Sequence, residues 1–468
     1  MVFSSIVFLF TFLPISLLAY YISPKKFRNA ILLLTSLVFY AWGEPVYILL
    51  MIGTIIFDYI MALKIDKHRS DKRKSKSIFI FTLFVNVGIL VFFKYVGFIV
   101  NNINGLLHVD IPFVELALPI GISFYTFQVL SYIVDVYLGK VRVQKSLISF
   151  GAYVTMFPQL VAGPIVQYET IEEQLDSREE SLEKFGQGVE RFIQGLGKKV
   201  LLANNIGMIW TVISAMDLGK MSVLTAWIGI IAYTFQIYFD FSGYSDMAIG
   251  LGKMFGFDFI ENFNFPYISS SVTEFWRRWH ISLGSWFRDY IYIPLGGNRV
   301  SFGKQIRNIF AVWLLTGLWH GASWNFAIWG LYYGVILLLE KMVFKNILEK
   351  TPAFIKHIYT MILVMIGWVL FASPTLVGAV EYIKVMFGIG ANPLIDNTGI
   401  YYLYTNGIMF IVLGLCSTPI VKITLDKLAG KTKFKVINPA LITYVLILFL
   451  TTAYLVNETY NPFLYFRF

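Results

Sequence analysis

The sequence predicts an all-α polytopic membrane protein, and three observations carry that prediction. Of 468 residues, 57% are hydrophobic and only 14% charged, against about 25% charged in soluble domains. The mean hydropathy is +0.67. The apolar residues fall in continuous runs rather than in alternation, which excludes a transmembrane barrel and leaves helices to satisfy the backbone in lipid. One cysteine, Cys416, excludes an internal disulfide and a thiolate metal cluster. The formal charge of +10 sits mostly in short loops between apolar runs. That pattern speaks for membrane topology and anionic lipid, not for nucleic acid.

In chain order, Met1–Ser23 lacks a basic n-region and a small-residue cleavage site, so it reads as a first span rather than a signal peptide. Ala30–Leu63 is divided into two passes by the turn signal Gly43-Glu44-Pro45. Lys64–Lys76 holds seven basic residues against two acidic, and with Lys25–Arg28 it is cytoplasmic by the positive-inside rule. Ser77–Val100, with Lys94 free to snorkel, and Leu116–Val134 are the next two passes. Ser146–Tyr168 is uncharged but broken at Pro158 and Ala162-Gly163-Pro164, which predicts a re-entrant or bent segment buried in protein. Glu169–Arg191, with eight acids against three bases, reads as a surface helix. Val200–Ala215, Met221–Phe239, Ile358–Val380, Asn397–Val421 and Val436–Asn457 are further spans. The expected total is about eleven transmembrane helices plus re-entrant and interfacial ones, in a single membrane domain over residues 1–468 with its motifs in 150–340.

The stretch of greatest interest is Phe310–Leu339, thirty residues without Asp, Glu, Lys or Arg and with His320 near the middle. A span needs about 20 apolar residues. A charged group inside one costs roughly 2.5–3.5 kcal/mol or more, which makes such a residue a functional-site hypothesis. His320 is read either as a proton-transfer group or as a neutral hydrogen-bonding tie between helices. One crossing by this run would put Lys341–Lys356 outside, against the charge rule. Ser271–Gly297 is the second stretch. At helical spacing Phe275, Trp276, Trp279, Leu283, Trp286 and Tyr290 form an aromatic stripe, and Arg277, Arg278, Arg288 and Asp289 fall largely elsewhere. That fits an in-plane helix, either a plain interfacial anchor or a cytoplasmic mouth whose arginines attract a phosphate-bearing donor. Of five histidines, only His280 and His320 are embedded in membrane-depth sequence; His68, His108 and His357 read as solvated. There is no nucleophile elbow, Walker A loop or zinc helix. Gly317-x3-Gly321 and Gly330-x3-Gly334 are close-packing signals.

FWRRWHISLGSWFRDYIYIPLGGNR (Phe275–Arg299) followed by GLWHGASWNFAIWG (Gly317–Gly330) resembles the membrane-bound O-acyltransferase (MBOAT) superfamily. Within it the chain is most similar to the bacterial branch of alginate O-acetylation membrane proteins and peptidoglycan O-acetyltransferase membrane subunits. MFPQLVAGPIVQY (Met156–Tyr168), YFDFSGYSDMAIGLGKMFGF (Tyr238–Phe257) and NPFLYFRF (Asn461–Phe468) extend the resemblance over the whole chain. The resemblance implies a ring of helices with funnels from both faces meeting at a central histidine. It makes His320 the active-site histidine and His280 the second family histidine. It implies transfer of an acyl group, expected to be acetyl, from a cytoplasmic thioester such as acetyl-coenzyme A to an extracytoplasmic cell-surface polysaccharide, directly or through a partner transferase. No permanently bound cofactor and no metal are required.

Chemistry agrees with that reading. A thioester is already activated, so the acceptor hydroxyl needs deprotonation, which a positioned histidine accelerates by typically 10²–10⁴-fold, and alignment with the donor. His320 is assigned as general base and His280 as a positioning group. Asn325, Asp240 and Asp246 are candidate supporting residues, and Trp276, Arg277, Arg278 and Arg288 are assigned to the donor entrance. Two alternatives stay open: D-alanyl transfer from a carrier protein toward teichoic acid, and a non-catalytic transporter.

Overall fold

The computed structural model describes residues 1–114, 116–160, 163–424, 439–457, 461 and 464, and among them it is all-helical. Among the described residues six helices are long and apolar enough to cross a membrane: Ile48–Lys67, Lys72–Leu107, Val223–Met254, Trp324–Lys350, Ala353–Ala372 and Asn397–Cys416. Phe8–Ile22, Ile122–Leu138 and Leu441–Asn457 are shorter apolar helices. The residues gather into two compact units, Met1–Phe192 with Tyr244–Ile260, and Ile193–Gly243 with Glu261–Phe468.

The first unit contains α1 (Leu13–Ile22), α2 (Arg28–Gly43), α3 (Ile48–Lys67), α4 (Lys72–Leu107), α5 (Ile122–Leu138), α6 (Leu147–Thr155), α7 (Phe157–Leu160), α8 (Tyr168–Asp176) and most of α9 (Leu182–Gly197). The break at Gly43-Glu44-Pro45 separates α2 from α3 as the turn signal predicts. Lys94 does not snorkel; its ammonium donates to Ser123 Oγ at 3.2 Å inside the unit. The uncharged stretch after Ser146 is the broken element that its prolines imply, folded as short α6 and α7, which are buried almost throughout. Ala162 of its expected break lies outside the described residues. The acidic stretch forms two helices, α8 and α9, rather than one. Phe3, Phe8, Phe12, Phe39 and Phe157 interlock as the core, with ring centroids 4.9–6.5 Å apart.

The second unit contains α10 (Asn204–Ser214), α11 (Val223–Met254) up to Gly243, α12 (Val272–Arg278), α13 (Ile281–Phe287), α14 (Phe302–His320), α15 (Trp324–Leu339), α16 (Lys345–Lys350), α17 (Ala353–Ala372), α18 (Leu376–Met386), α19 (Asn397–Cys416) and α20 (Pro439–Asn457). Helix α11 runs some fifteen residues past the span expected to end at Phe239, taking in both Asp240 and Asp246. The Ile358–Val380 span is interrupted at Ser373, which separates α17 from α18. Residues 436–438, expected to begin the last span, lie outside the described residues, as does all of the closing NPFLYFRF motif except Asn461 and Leu464.

Phe310–Leu339 is not one span. Helix α14 stops at His320, Gly321 and Ser323 are extended, and α15 starts at Trp324, so the run folds as an antiparallel hairpin. Glycine makes the crossing possible. A Cβ on Gly330 would strike the Trp313 carbonyl, and one on Gly317 the Phe326 carbonyl. The residues near Gly334, Phe310 and Trp313, continue the reversed register. A hairpin returns the chain to the side it left, which removes the charge conflict that a single crossing would create at Lys341–Lys356.

Candidate active site

Helices α12 and α13 are not the continuous amphipathic helix that the aromatic spacing predicts. The chain breaks at His280, whose φ of 46° is left-handed, a conformation costing a non-glycine residue about 1–3 kcal/mol when the surroundings impose it. Those surroundings are visible. Asn262 accepts the Ile281 N–H on its backbone carbonyl at 3.0 Å, and Asn264 N–H donates to the Arg278 carbonyl at 2.9 Å. The Asn262 side-chain oxygen takes the Ser282 N–H at 3.2 Å and the Ser282 hydroxyl at 2.9 Å, and faces His280 Nδ1 at 3.2 Å. His280 is buried, with Phe241 edge-on at 4.7 Å and 88°.

His320 closes α14 and is also buried. Its ring meets Trp329 and Phe371 at 5.1 Å each, both near-perpendicular, and Trp319 at 5.0 Å. Trp319 in turn lies 6.1 Å from the His280 ring. One indole therefore bridges the two histidines, which are forty residues apart in sequence.

A cavity of about 270 Å³ adjoins this cluster, lined among others by Trp276, Trp279, His280, Phe287, Arg288 and Trp313. His280 and two of the four residues assigned to the donor entrance, Trp276 and Arg288, share that wall. Trp276 stands within 4.8–5.5 Å of Trp313, Trp329 and Tyr333. The Arg288 guanidinium forms a double hydrogen bond to Asp289 at 2.7 and 3.0 Å. Arg277 is exposed and does not line the cavity. Arg278 turns back to Glu274 at 2.9 Å and to the Asn264 carbonyl at 3.1 Å.

The supporting candidates separate. Asn325 donates to the Ser373 carbonyl at 2.6 Å, tying the start of α15 to the end of α17. Asp240 forms a fully buried ion pair with Lys199 at 2.7 Å and accepts the Leu464 N–H at 2.9 Å. Asp246 belongs to the first unit, where Arg191 holds it at 2.7 Å. Reasoning from sequence missed Asn262 and Glu340. Glu340 is a buried carboxylate that accepts Val272 N–H at 2.7 Å, Thr273 N–H at 2.8 Å and the Thr273 hydroxyl at 2.6 Å. It thereby caps α12, the helix that carries Trp276. A lone acid just past a long apolar run was the available signal.

The sequence signature of the MBOAT, membrane-bound O-acyltransferase family matches residues 140–379. The probable alginate O-acetylase AlgI of Pseudomonas aeruginosa is 45% identical over 83% of this chain and 75% of its own. The peptidoglycan O-acetyltransferase of Helicobacter pylori is 34% identical over 83% and 80%. The teichoic acid D-alanyltransferase of Streptococcus thermophilus is more distant, 28% identical over 71% and 82%. The chain belongs to the membrane-bound O-acyltransferase family. It is a multi-pass membrane O-acyltransferase, and its bacterial relatives place it in the plasma membrane.

Proposed function

We propose that this enzyme takes an acetyl group from a cytoplasmic thioester, acetyl-coenzyme A, and passes it through the membrane for O-acetylation of an extracytoplasmic cell-surface polysaccharide, directly or through a partner transferase. The observation that carries the reading is the pair of buried histidines joined by Trp319, one of them in the wall of the 270 Å³ cavity. The names of the more similar relatives support acetyl over D-alanyl. In this reading the chain works as one membrane domain of about eleven spans, with funnels from both faces meeting at His320.

His320 is the general base. It takes the proton of the acceptor hydroxyl as the oxygen attacks the thioester carbonyl. The tetrahedral intermediate expels the thiolate, which leaves protonated as the free thiol. His280 positions the donor from the cavity wall, beside Trp276. Arg288 on the cavity wall, together with Arg277 and Arg278, supplies positive charge for a phosphate-bearing donor at the entrance. A water-poor aromatic surrounding keeps the thioester from hydrolysis.

The test is ester-linked acetate on surface polysaccharide in cells carrying the wild type, His320→Ala or a deletion, at matched membrane levels. Acetate should vanish in both altered strains. Acetate lost on deletion but kept in His320→Ala would reduce the protein to a conduit. Acetate unchanged in both, with D-alanine esters lost, would move the reading to D-alanyl transfer.

A further inference from the structure

We infer that Asn262 is a positioning residue that holds His280 in one tautomer, Nδ1 protonated and Nε2 carrying the lone pair, so that only Nε2 can act as an acceptor in the reaction. The inference rests on the reading that His280 belongs to the reacting site.

Three groups converge on one atom of Asn262: the Ser282 N–H at 3.2 Å, the Ser282 hydroxyl at 2.9 Å and His280 Nδ1 at 3.2 Å. A backbone N–H can only donate, so the atom it meets is the amide oxygen and not the amide nitrogen. An amide oxygen can only accept, so Nδ1 must bring a proton, and in a neutral imidazole Nε2 then holds the lone pair. Ser282 Oγ is 3.5 Å from Nδ1, but at 2.9 Å its hydrogen goes to Asn262. The ring is held in place as well. Two backbone bonds close the loop around it, Ile281 N–H to Asn262 and Asn264 N–H to Arg278. Phe241 stands perpendicular to it at 4.7 Å, and Trp319 packs at 6.1 Å. A residue eighteen positions upstream thus decides which nitrogen of His280 can accept a proton or a hydrogen bond.

A plain cap for α13 would make some of the same contacts, and the experiment separates the two roles. The full-length protein, labelled with ¹⁵N-histidine and reconstituted in liposomes, is read by solid-state NMR; its five histidines make His280 assignable by difference with His280→Gln. The same variants are scored for surface acetate in cells. The expected spectrum has Nδ1 protonated and Nε2 bare in the wild type, and the same in Asn262→Asp, which keeps an acceptor. Asn262→Leu should lose that signature and at least tenfold of the acetate. Asn262→Asp should restore acetate to within threefold. Ser282→Ala, which removes the hydroxyl that donates to Asn262 but leaves His280 on Asn262, should stay within threefold too.

A protonated Nε2 in the wild type overturns the inference without recourse to any variant. So does Asn262→Leu with wild-type acetate, or an equal loss in Ser282→Ala and Asn262→Leu, which would leave only the cap. If His280→Gln keeps full acetate, the underlying site reading fails instead. Loss in His280→Gln beside full activity in Asn262→Leu isolates the failure to Asn262.

Discussion

Two polar clusters, one in each unit, are buried in different ways. In the first unit Arg28, Arg178, Glu180, Tyr20 and Asn29 are linked to one another. Arg28 pairs with Glu180, the Tyr20 hydroxyl lies 2.7 Å from Glu180 and 2.6 Å from Arg178 Nε, and Arg178 reaches Asn29 at 2.8 Å. In the second unit the two candidate histidines stand among Phe241, Trp319, Trp329 and Phe371, and His280 is bonded to a neutral amide. Buried charge in that unit is held in two ways, by an opposite charge in Lys199 with Asp240 and by N–H and O–H donors at Glu340. Matched charges return little net stability beyond their desolvation cost but are costly to break, so they serve architecture. The two imidazoles stand in aromatic walls instead, and that is where chemistry is expected.

Exchanging residues between these categories tests the contrast. The largest effect belongs to His320→Gln, which keeps the size and polarity of the side chain but not its basicity. Acetylation should fall at least about 100-fold with the thermal midpoint in detergent unchanged within roughly 2 °C. A large drop in that midpoint would make His320 a structural tie after all. Glu340→Gln should affect both measures, because one acceptor oxygen of the α12 cap becomes a donor facing donors. A buried hydrogen bond lost this way costs about 1–3 kcal/mol, so a tenfold loss of acetylation and a clear fall in midpoint are expected together. Activity lost with no thermal change would place Glu340 in the chemistry.

Glu180→Gln should do the reverse of His320→Gln. Burial pushes the Glu180 carboxyl up, but bonds from Arg28 and Tyr20 and the charges of Arg28 and Arg178 outweigh it and hold it below its ordinary 4.5. A depressed folded-state pKa adds stability above the unfolded value and loses it as pH falls through the folded one. Thermal stability of the wild type should therefore decline below about pH 4.5, and Glu180→Gln should be less stable at neutral pH with a flatter acid decline. Acetylation near pH 7 should stay within twofold once protein level is matched. An unchanged acid profile would show that this cluster contributes nothing. The smallest effect is expected for Arg288→Ala. Its side chain is 60% exposed and paired with Asp289, and exposed pairs contribute about 0–1 kcal/mol. A rise of about threefold in the donor concentration needed for half-maximal rate, with the maximal rate kept, is the expected reading. A change confined to maximal rate would remove Arg288 from donor binding.

The parts of the site legible in the sequence are those carried by residue type and local wording. His280 and His320 stand out because imidazoles in aromatic-rich stretches of membrane-depth sequence are conspicuous. Trp276 and Arg288 were legible from their place beside His280. The hairpin inside Phe310–Leu339 was half legible: its glycines signalled close packing, but an uncharged run of thirty residues looks the same whether it crosses once or folds back. Asp240 and Asp246, six residues apart on one helix, looked equivalent and are not, since they belong to different units with different cations.

By itself, then, the sequence determined the membrane class, the helical content and the family, and it singled out the two candidate histidines, because hydropathy, charge placement and motif wording are local properties of a chain. The tertiary structure decided what those residues can do. It broke the aromatic stripe at His280, brought Trp319 between the two imidazoles, and used Asn262 and Glu340 to hold elements far from them in sequence. Such roles arise from directional hydrogen bonds between distant segments, and a directional bond has no signature until both its ends are placed.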